Sequence, residues 1–149
     1  MNNPRAGMTL IVKTVTRLTA GLILLYGIYV VTHGQITGGG GFPGGVIIAL
    51  AFIHLILAFG RRATLKRINL LASFSWESLG ALFFLAIALL GLLGGFFFLN
   101  IFPRGEPFHL FSAGTIPFSN IAICLNVGGG LVAIFLVLTF FKSDSGGEK

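Results

Sequence analysis

Apolar residues occur along this chain in four long runs, which glycine-rich, basic or polar segments separate. The runs cover residues 18–33, 44–59, 70–100 and 118–141. About 20 apolar residues in a helix cross a hydrocarbon core about 30 Å thick, so each run predicts one transmembrane helix. The third run is too long for an upright span. Either its helix tilts, or residues 70–75 lie in the interface and the span covers residues 76–100.

The composition agrees with a membrane protein. Of the 149 residues, 55% are hydrophobic and only 9% are charged, which is more apolar surface than a soluble domain of this size can bury. We therefore predict an all-α integral membrane protein with four transmembrane helices in a single membrane domain, residues 1–149. Basic residues before the first run are also typical of a cleavable signal peptide. No small-residue cleavage site follows residues 29–31, so we expect this helix to be retained.

The distribution of Lys and Arg predicts the orientation in the membrane. Loops rich in these residues face the cytoplasm. We therefore expect both termini and a basic loop, residues 60–69, on the cytoplasmic side of the cell membrane, with a glycine-rich loop, residues 34–45, on the outer side. The residues predicted to be cytoplasmic are Arg5, Lys13, Arg17, Arg61, Arg62, Lys66, Arg67, Lys142 and Lys149, and the outer loop of residues 101–117 carries Arg104.

The charged and reactive residues exclude several functions. Topology and anionic lipid headgroups explain the net charge of +6 better than nucleic acid does, because the cations lie at helix ends. Cys124 is the only cysteine, so an intrachain disulfide is excluded. No Ser-His-Asp set, paired carboxylate or CxxC motif indicates catalysis, and we expect no cofactor or metal. A haem between His33 and His54 would join residues that differ by about 15 Å in depth.

The segment of residues 38–45, GGGGFPGG, allows three interpretations. It lacks the Lys-Ser/Thr of a phosphate-binding loop. It predicts a tight outer turn in which Pro43 restricts the backbone and Phe42 anchors the turn to a neighbour. It also predicts close helix packing, because Gly41, Gly45 and Ala49 are spaced four apart. The third interpretation is a re-entrant loop whose carbonyl groups bind cations.

The longer stretch GIYVVTHGQITGGGGFPGG, residues 27–45, resembles the signature of the MnhB family, whose members are small subunits of Mrp-type multisubunit cation/proton antiporters. In that family a glycine-led linker precedes Pro-Gly-Gly-Gly-Phe-x-Gly-Gly. The matching residues are Gly39, Gly40, Gly41, Phe42, Gly44 and Gly45. A weaker match, NVGGGL at residues 126–131, falls where the family usually has Phe-Asp-hydrophobic-Gly-Val. Gly38 replaces a common proline and Asn126 a common aspartate, so the fourth span lacks that titratable group.

This resemblance implies a small, non-catalytic subunit of a large membrane complex that exchanges sodium for protons. Its partners would be other membrane subunits and the lipid bilayer. Related subunits occur in membrane-bound hydrogenases and sulfur reductases, so the complex is either a stand-alone antiporter or part of a respiratory enzyme. The alternative from another class is a small self-sufficient cation channel in which the carbonyl groups of residues 38–41 line the pore.

Polar residues within the spans are the candidates for contact with the ion path. His54 and Asn126 lie at similar predicted depths, about 15 Å and 12 Å from the outer surface, so we expect a hydrogen bond between them if their helices touch. Glu77 has two interpretations. Ser75 caps a helix that starts beside Glu77, or the helix starts near Leu70 and Glu77 lies about 10 Å deep as an ion or proton site.

Small residues in the last two spans predict close packing with other helices. Gly91, Gly94 and Gly95 are expected to share one face of the third helix, beside a run of three phenylalanines at residues 96–98. Gly128 is expected to allow a close approach in the fourth. Few polar residues remain to form an ion pathway within this chain alone. The sequence therefore favours a subunit that packs against its neighbours and lines a pathway shared with them.

Overall fold

A computed structural model describes residues 8–36, 38–60, 70–100 and 113–144, with the backbone alone for residues 140–144. These residues form four α-helices and no strand. The helices are α1 (Leu10–Thr32), α2 (Gly41–Phe59), α3 (Leu70–Leu92) and α4 (Ile116–Asp144). The basic loop and most of the second outer loop, with Arg104 and His109, lie outside the described residues.

All four helices are long and apolar enough to cross a bilayer. The shortest, α2, has 19 residues and spans about 28 Å, close to the thickness of the hydrocarbon core. Large apolar side chains point outward along every helix; Leu22 of α1 is 61% exposed and Leu82 of α3 is 64% exposed. This exposure suits a chain surrounded by lipid. The predicted all-α, multi-pass membrane fold is therefore confirmed, and the orientation of the termini stays a prediction.

The helices form a row in the order α1, α2, α4, α3, with a minor contact between α1 and α4. The packed core lies between α2 and α4, where Ala49 and Ile56 meet Val132 and Leu136. Small residues also line the contact between α1 and α2. A β-carbon placed on Gly27 would lie 2.7 Å from Cγ1 of Ile48. The helices therefore approach closely through small residues, as membrane helices commonly do.

Hydrogen bonds tie α1 and α2 into an antiparallel hairpin at both ends. At the end with the glycine turn, the Gly40 N–H donates to the carbonyl of Val30 over 3.3 Å. At the other end, the Met8 N–H donates to the carbonyl of Ala58 over 3.1 Å, which satisfies one of the free carbonyl groups of the last turn of α2. These bonds keep the start of α2 beside the end of α1.

Helix α3 occupies residues Leu70–Leu92, so it begins at the earlier of the two expected positions, residue 70 and not residue 76, and it ends before the expected residue 100. It ends in a glycine turn, where Gly95 has a φ of +97° and its N–H donates to the carbonyl of Leu92 over 2.9 Å. Glycine adopts this left-handed conformation readily, so it commonly ends helices. The expectation that Gly91, Gly94 and Gly95 share a helical face is therefore wrong, because only Gly91 belongs to the helix.

Candidate functional site

The glycine segment forms the turn into α2 and the first turn of that helix. Gly40 has a φ of +125°, which favours glycine, and its carbonyl accepts the Gly44 N–H over 3.1 Å. The Gly41 N–H donates to Oδ1 of Asn120 on α4 over 3.3 Å. The side chain of Asn120 thus satisfies one of the free N–H groups at the start of α2.

Two sides of α2 use glycine for contact with different neighbours. A β-carbon on Gly44 would overlap Cγ2 of Val31 on α1. On the other side, a β-carbon on Gly41 would overlap the Asn120 carbonyl, and one on Gly45 would lie 2.9 Å from the Cys124 carbonyl. The start of α2 therefore fits between α1 and α4 because both sides lack side chains.

The remaining residues of the glycine motif, and the small residues predicted to pack beside it, differ in burial and in their neighbours. Ala49, one turn after Gly45, is fully buried in the contact with α4. A β-carbon on Gly39 would lie 3.1 Å from Cγ1 of Val30, and one on Gly128 would lie 3.5 Å from the Gly45 carbonyl. Phe42 is 64% exposed, so it does not anchor the turn within the described part of the chain.

Glu77 lies well inside the third helix. Because α3 begins at Leu70, Glu77 is seven residues, or about 10 Å, along it. The interpretation of Ser75 as a helix cap is wrong, because its hydroxyl donates to the Leu71 carbonyl over 2.8 Å within the continuous helix. The Glu77 side chain is half-buried against α4. A carboxyl group therefore lies about 10 Å along a helix long enough to span a membrane, at the contact of this helix with α4.

Asn126 contacts Glu77 and not His54. Its Nδ2 donates to the backbone carbonyl of Glu77 over 3.1 Å. The predicted hydrogen bond between His54 and Asn126 is wrong, although α2 and α4 do pack together. Counting residues along a helix predicts how deep each side chain lies, but it does not predict the direction in which the side chain points around the helix axis. Asn126 points toward α3, whereas His54 is exposed on the α1 side of α2.

Glycines of α4 make room for Glu77. A β-carbon on Gly129 would lie 2.7 Å from the Glu77 nitrogen and 2.9 Å from the Ser73 carbonyl, so the two helix backbones are close together. A β-carbon on Gly130 would lie 3.4 Å from both Cδ and Oε1 of Glu77. The carboxyl group therefore lies over Gly130, and among the described residues no cation forms an ion pair with it.

A second polar contact lies between α1 and α2. Nε2 of His54 is 3.4 Å from Oγ1 of Thr19. His54 is thirteen residues, or about 20 Å, from the start of α2 at Gly41. His33 lies at the opposite end of the hairpin, stacked on Tyr29 with ring centroids 4.2 Å apart. This separation opposes a haem between the two histidines, and the described residues contain no group of three metal-ligating side chains.

Sequence reasoning missed two residues of these contacts, Asn120 and Thr19. Asn120 was detectable as a second amide residue in the apolar fourth run, but its role depends on where α2 begins. Thr19 resembles Thr14 and Thr32 of α1, whose hydroxyl groups donate to carbonyl groups of their own helix. Only the pairing of α1 with α2 distinguishes it.

Comparisons with known proteins agree with this architecture. A protein of Methanocaldococcus jannaschii described as uncharacterised is 38% identical over 143 residues, which cover 87% of this chain and 52% of that protein. A putative antiporter subunit mnhB2 of Staphylococcus haemolyticus is 30% identical over 139 residues, covering 89% of this chain and 96% of that subunit. The chain thus spans about half the length of the first relative and nearly all of the second.

A solved structure and a family model match most of the chain. A chain in the structure of the membrane-bound sulfane sulfur reductase, an archaeal respiratory membrane complex, superposes with a TM-score of 0.75 at 31% identity. The match covers 93% of this chain and 63% of that chain. The model described as a domain related to the MnhB subunit of Na+/H+ antiporter matches residues 11–133, which include the glycine turn, Glu77 and Asn126. The chain therefore belongs to the MnhB family.

Proposed function

We propose that this chain is a non-catalytic subunit of an Mrp-type antiporter module in the cytoplasmic membrane, and that its Glu77 contributes to the path of sodium or protons through the complex. The complex performs the exchange. The chain packs its neighbours together and places one carboxyl group at membrane depth. Its membership of the MnhB family and its similarity to a chain of a respiratory membrane complex support this role.

The position of Glu77 is the observation that carries the proposal. An ionisable side chain inside a membrane is costly and is commonly functional. Here the backbone of Glu77 is fixed by Asn126, and Gly130 leaves space beside its carboxyl group. A carboxyl group in such a place can accept and release a proton or bind a cation. Asn126 cannot carry a proton, but it can hold the helix that presents Glu77.

The proposal is tested with the whole complex in proteoliposomes, with a sodium gradient as the driving force and internal pH as the readout. The Glu77→Gln variant keeps the shape of the side chain and removes its proton-carrying and charged forms. We expect exchange to fall by at least about tenfold, since a positioned proton-transferring group typically contributes about 100-fold or more. The Glu77→Asp variant, which keeps a carboxyl group, should retain more activity. Unchanged exchange in an assembled Glu77→Gln complex would contradict the role of Glu77.

The alternative of a self-sufficient channel predicts a different result. The Gly40 carbonyl, one of the groups such a pore would need, accepts a hydrogen bond from Gly44 in the first turn of α2. We therefore expect the purified chain alone to conduct no cations in liposomes. Selective cation current through the chain alone would support the channel and contradict the subunit role.

The respiratory or stand-alone setting is decided by the partners that purify with the chain in mild detergent. Antiporter-like membrane subunits alone would indicate a stand-alone exchanger. Iron–sulfur partners would indicate a respiratory complex such as a sulfur reductase, and nickel-bearing partners a hydrogenase. Recovery of the chain without any other membrane subunit would contradict both.

A further inference from the structure

We propose that the exposed His54, together with the half-buried Thr19 that it contacts, binds a carboxyl group presented by a transmembrane helix of a neighbouring subunit. The two residues contact each other across the α1–α2 hairpin, on a side where His54 is exposed. We call this side the His54 face; its other exposed residues include Leu22, Leu50 and Leu57, which are 61%, 52% and 53% exposed. Across these residues the face is apolar except at the His54 and Thr19 pair.

Hydrogen-bond geometry leaves one ring nitrogen of His54 open. The Thr19 hydroxyl has one proton and lies 3.0 Å from the Val15 carbonyl and 3.2 Å from the Thr16 carbonyl, so it donates within α1. The contact of 3.4 Å with Thr19 occupies Nε2 of His54, whichever of the two groups supplies the proton. The other nitrogen, Nδ1, forms no hydrogen bond with the part of the chain that the structure describes.

The depth of this open nitrogen excludes the simplest partners. His54 is five residues, or about 8 Å, before the end of α2 at Phe59. A polar group exposed to hydrocarbon at this depth is costly unless protein or water covers it. Lipid chains offer no hydrogen bond, and headgroups lie farther out, so a protein partner is favoured.

The chemistry of Nδ1 favours a carboxyl group on that partner. Without a proton, Nδ1 accepts a hydrogen bond from a carboxylic acid; with a proton, Nδ1 donates a hydrogen bond to a carboxylate. One carboxyl group therefore satisfies Nδ1 in both protonation states. The chain supplies no such group from the hairpin, because residues 10–59 contain neither aspartate nor glutamate. Glu77 belongs to α3, which packs against α4 at the far end of the helix row.

Substitutions of His54 distinguish this partner from lipid. The tagged chain is expressed in its host membranes, and the fraction recovered with the other subunits is divided by the total inserted chain. The His54→Leu variant should lower this fraction about fivefold or more, because an interhelical hydrogen bond contributes about 1 kcal/mol and its loss also strands the partner's carboxyl group. The His54→Lys variant should stay near the wild type, because its ammonium group pairs with the carboxylate.

A face that meets only lipid gives the opposite order: His54→Leu is tolerated and His54→Lys is not. That order would overturn the proposal, and so would loss of association in both variants, which indicates a hydrogen-bond donor on the partner. The Leu50→Lys variant is the matched control, since Leu50 lies about one turn away on the same face, and we expect it to lower association.

Cross-linking identifies the partner directly. In membranes that contain the His54→Lys variant, a membrane-permeant carbodiimide should join the new amine to the partner's carboxyl group as an amide. Mass analysis should place the link on an aspartate or glutamate in a transmembrane helix of another subunit. A link to Glu77 of the same chain, or the absence of any link, would overturn the proposal. This inference relies on the proposed membership of a complex, but its test measures the association of the subunits and not ion exchange. A complex that assembles without exchanging ions would therefore contradict the proposed function alone.

Discussion

Gly129→Ala should disrupt the contact between α3 and α4 that holds Glu77, whereas Gly128→Ala should not. The new β-carbon at position 129 would lie 2.7 Å from the Glu77 nitrogen and 2.9 Å from the Ser73 carbonyl. Both are backbone atoms and cannot rotate away. At Gly128 the nearest atom beyond the helix itself is the Gly45 carbonyl at 3.5 Å, an ordinary contact. The two glycines are adjacent in α4, so they form a matched pair.

The expected loss of stability is the difference in the free energy of unfolding between the two variants. Each change gains about 1 kcal/mol of helix propensity, which cancels in the comparison. At position 129, α3 has to move by several tenths of an ångström, and overpacking of this kind typically costs about 1–3 kcal/mol. The movement also lengthens the 3.1 Å hydrogen bond from Asn126 to the Glu77 carbonyl. We expect Gly129→Ala to be less stable than Gly128→Ala by about 2 kcal/mol, or about 30-fold in the unfolding equilibrium.

Trp76 provides the assay. It is the only tryptophan of the chain, and it lines a groove of about 370 Å³ together with Gly128 and Gly129. Its fluorescence should therefore report the separation of α3 from α4 as the purified chain unfolds in mixed micelles of increasing SDS content. The Gly129→Ala midpoint should fall at a lower SDS fraction than the Gly128→Ala midpoint. Equal midpoints, or a more stable Gly129→Ala variant, would refute the close backbone contact on which the placement of Glu77 depends.

Two further predictions concern the outer turn and use the same SDS titration. Gly41→Ala should lower stability by about 1–3 kcal/mol because its β-carbon overlaps the Asn120 carbonyl. Gly38→Ala should have little effect, since no atom lies within 4 Å of its β-carbon, and a similar loss in both would contradict a specific contact. Asn120→Ala should cost about 1 kcal/mol because it removes the acceptor for the Gly41 N–H; an unchanged midpoint would show that this bond does not stabilise α2.

The four spans were predictable from the sequence because a membrane helix must be continuously apolar and internally hydrogen-bonded. The same requirement explains the difference at the start of α3. Ser75, Trp76 and Glu77 have the composition of a helix start, but α3 continues through them and the Ser75 hydroxyl bonds to the Leu71 carbonyl. Breaking a helix within the bilayer would leave backbone groups unpaired in lipid. A sequence pattern that starts a helix in water therefore does not reliably mark the start of a membrane helix.

The polar contacts were only partly predictable, for a geometric reason. Counting residues gives the depth of His54 and Asn126 to within a few ångströms, but each residue turns the side chain by about 100° around the helix axis. Whether two side chains at one depth meet depends on which helices are neighbours and on how each is rotated. The order α1, α2, α4, α3 pairs Asn126 with Glu77 and His54 with Thr19. No local sequence pattern contains that order.

The topology of the chain decides from which side of the membrane Glu77, seven residues along α3, lies about 10 Å deep. In a Cys124→Ala background, single cysteines replace Gly38 in the outer turn and Lys66 in the basic loop, and intact cells are treated with a membrane-impermeant maleimide. We expect labelling at position 38 in intact cells and at position 66 only after the membrane is opened. Labelling of both positions from the same side would contradict the four-span arrangement and the placement of Glu77.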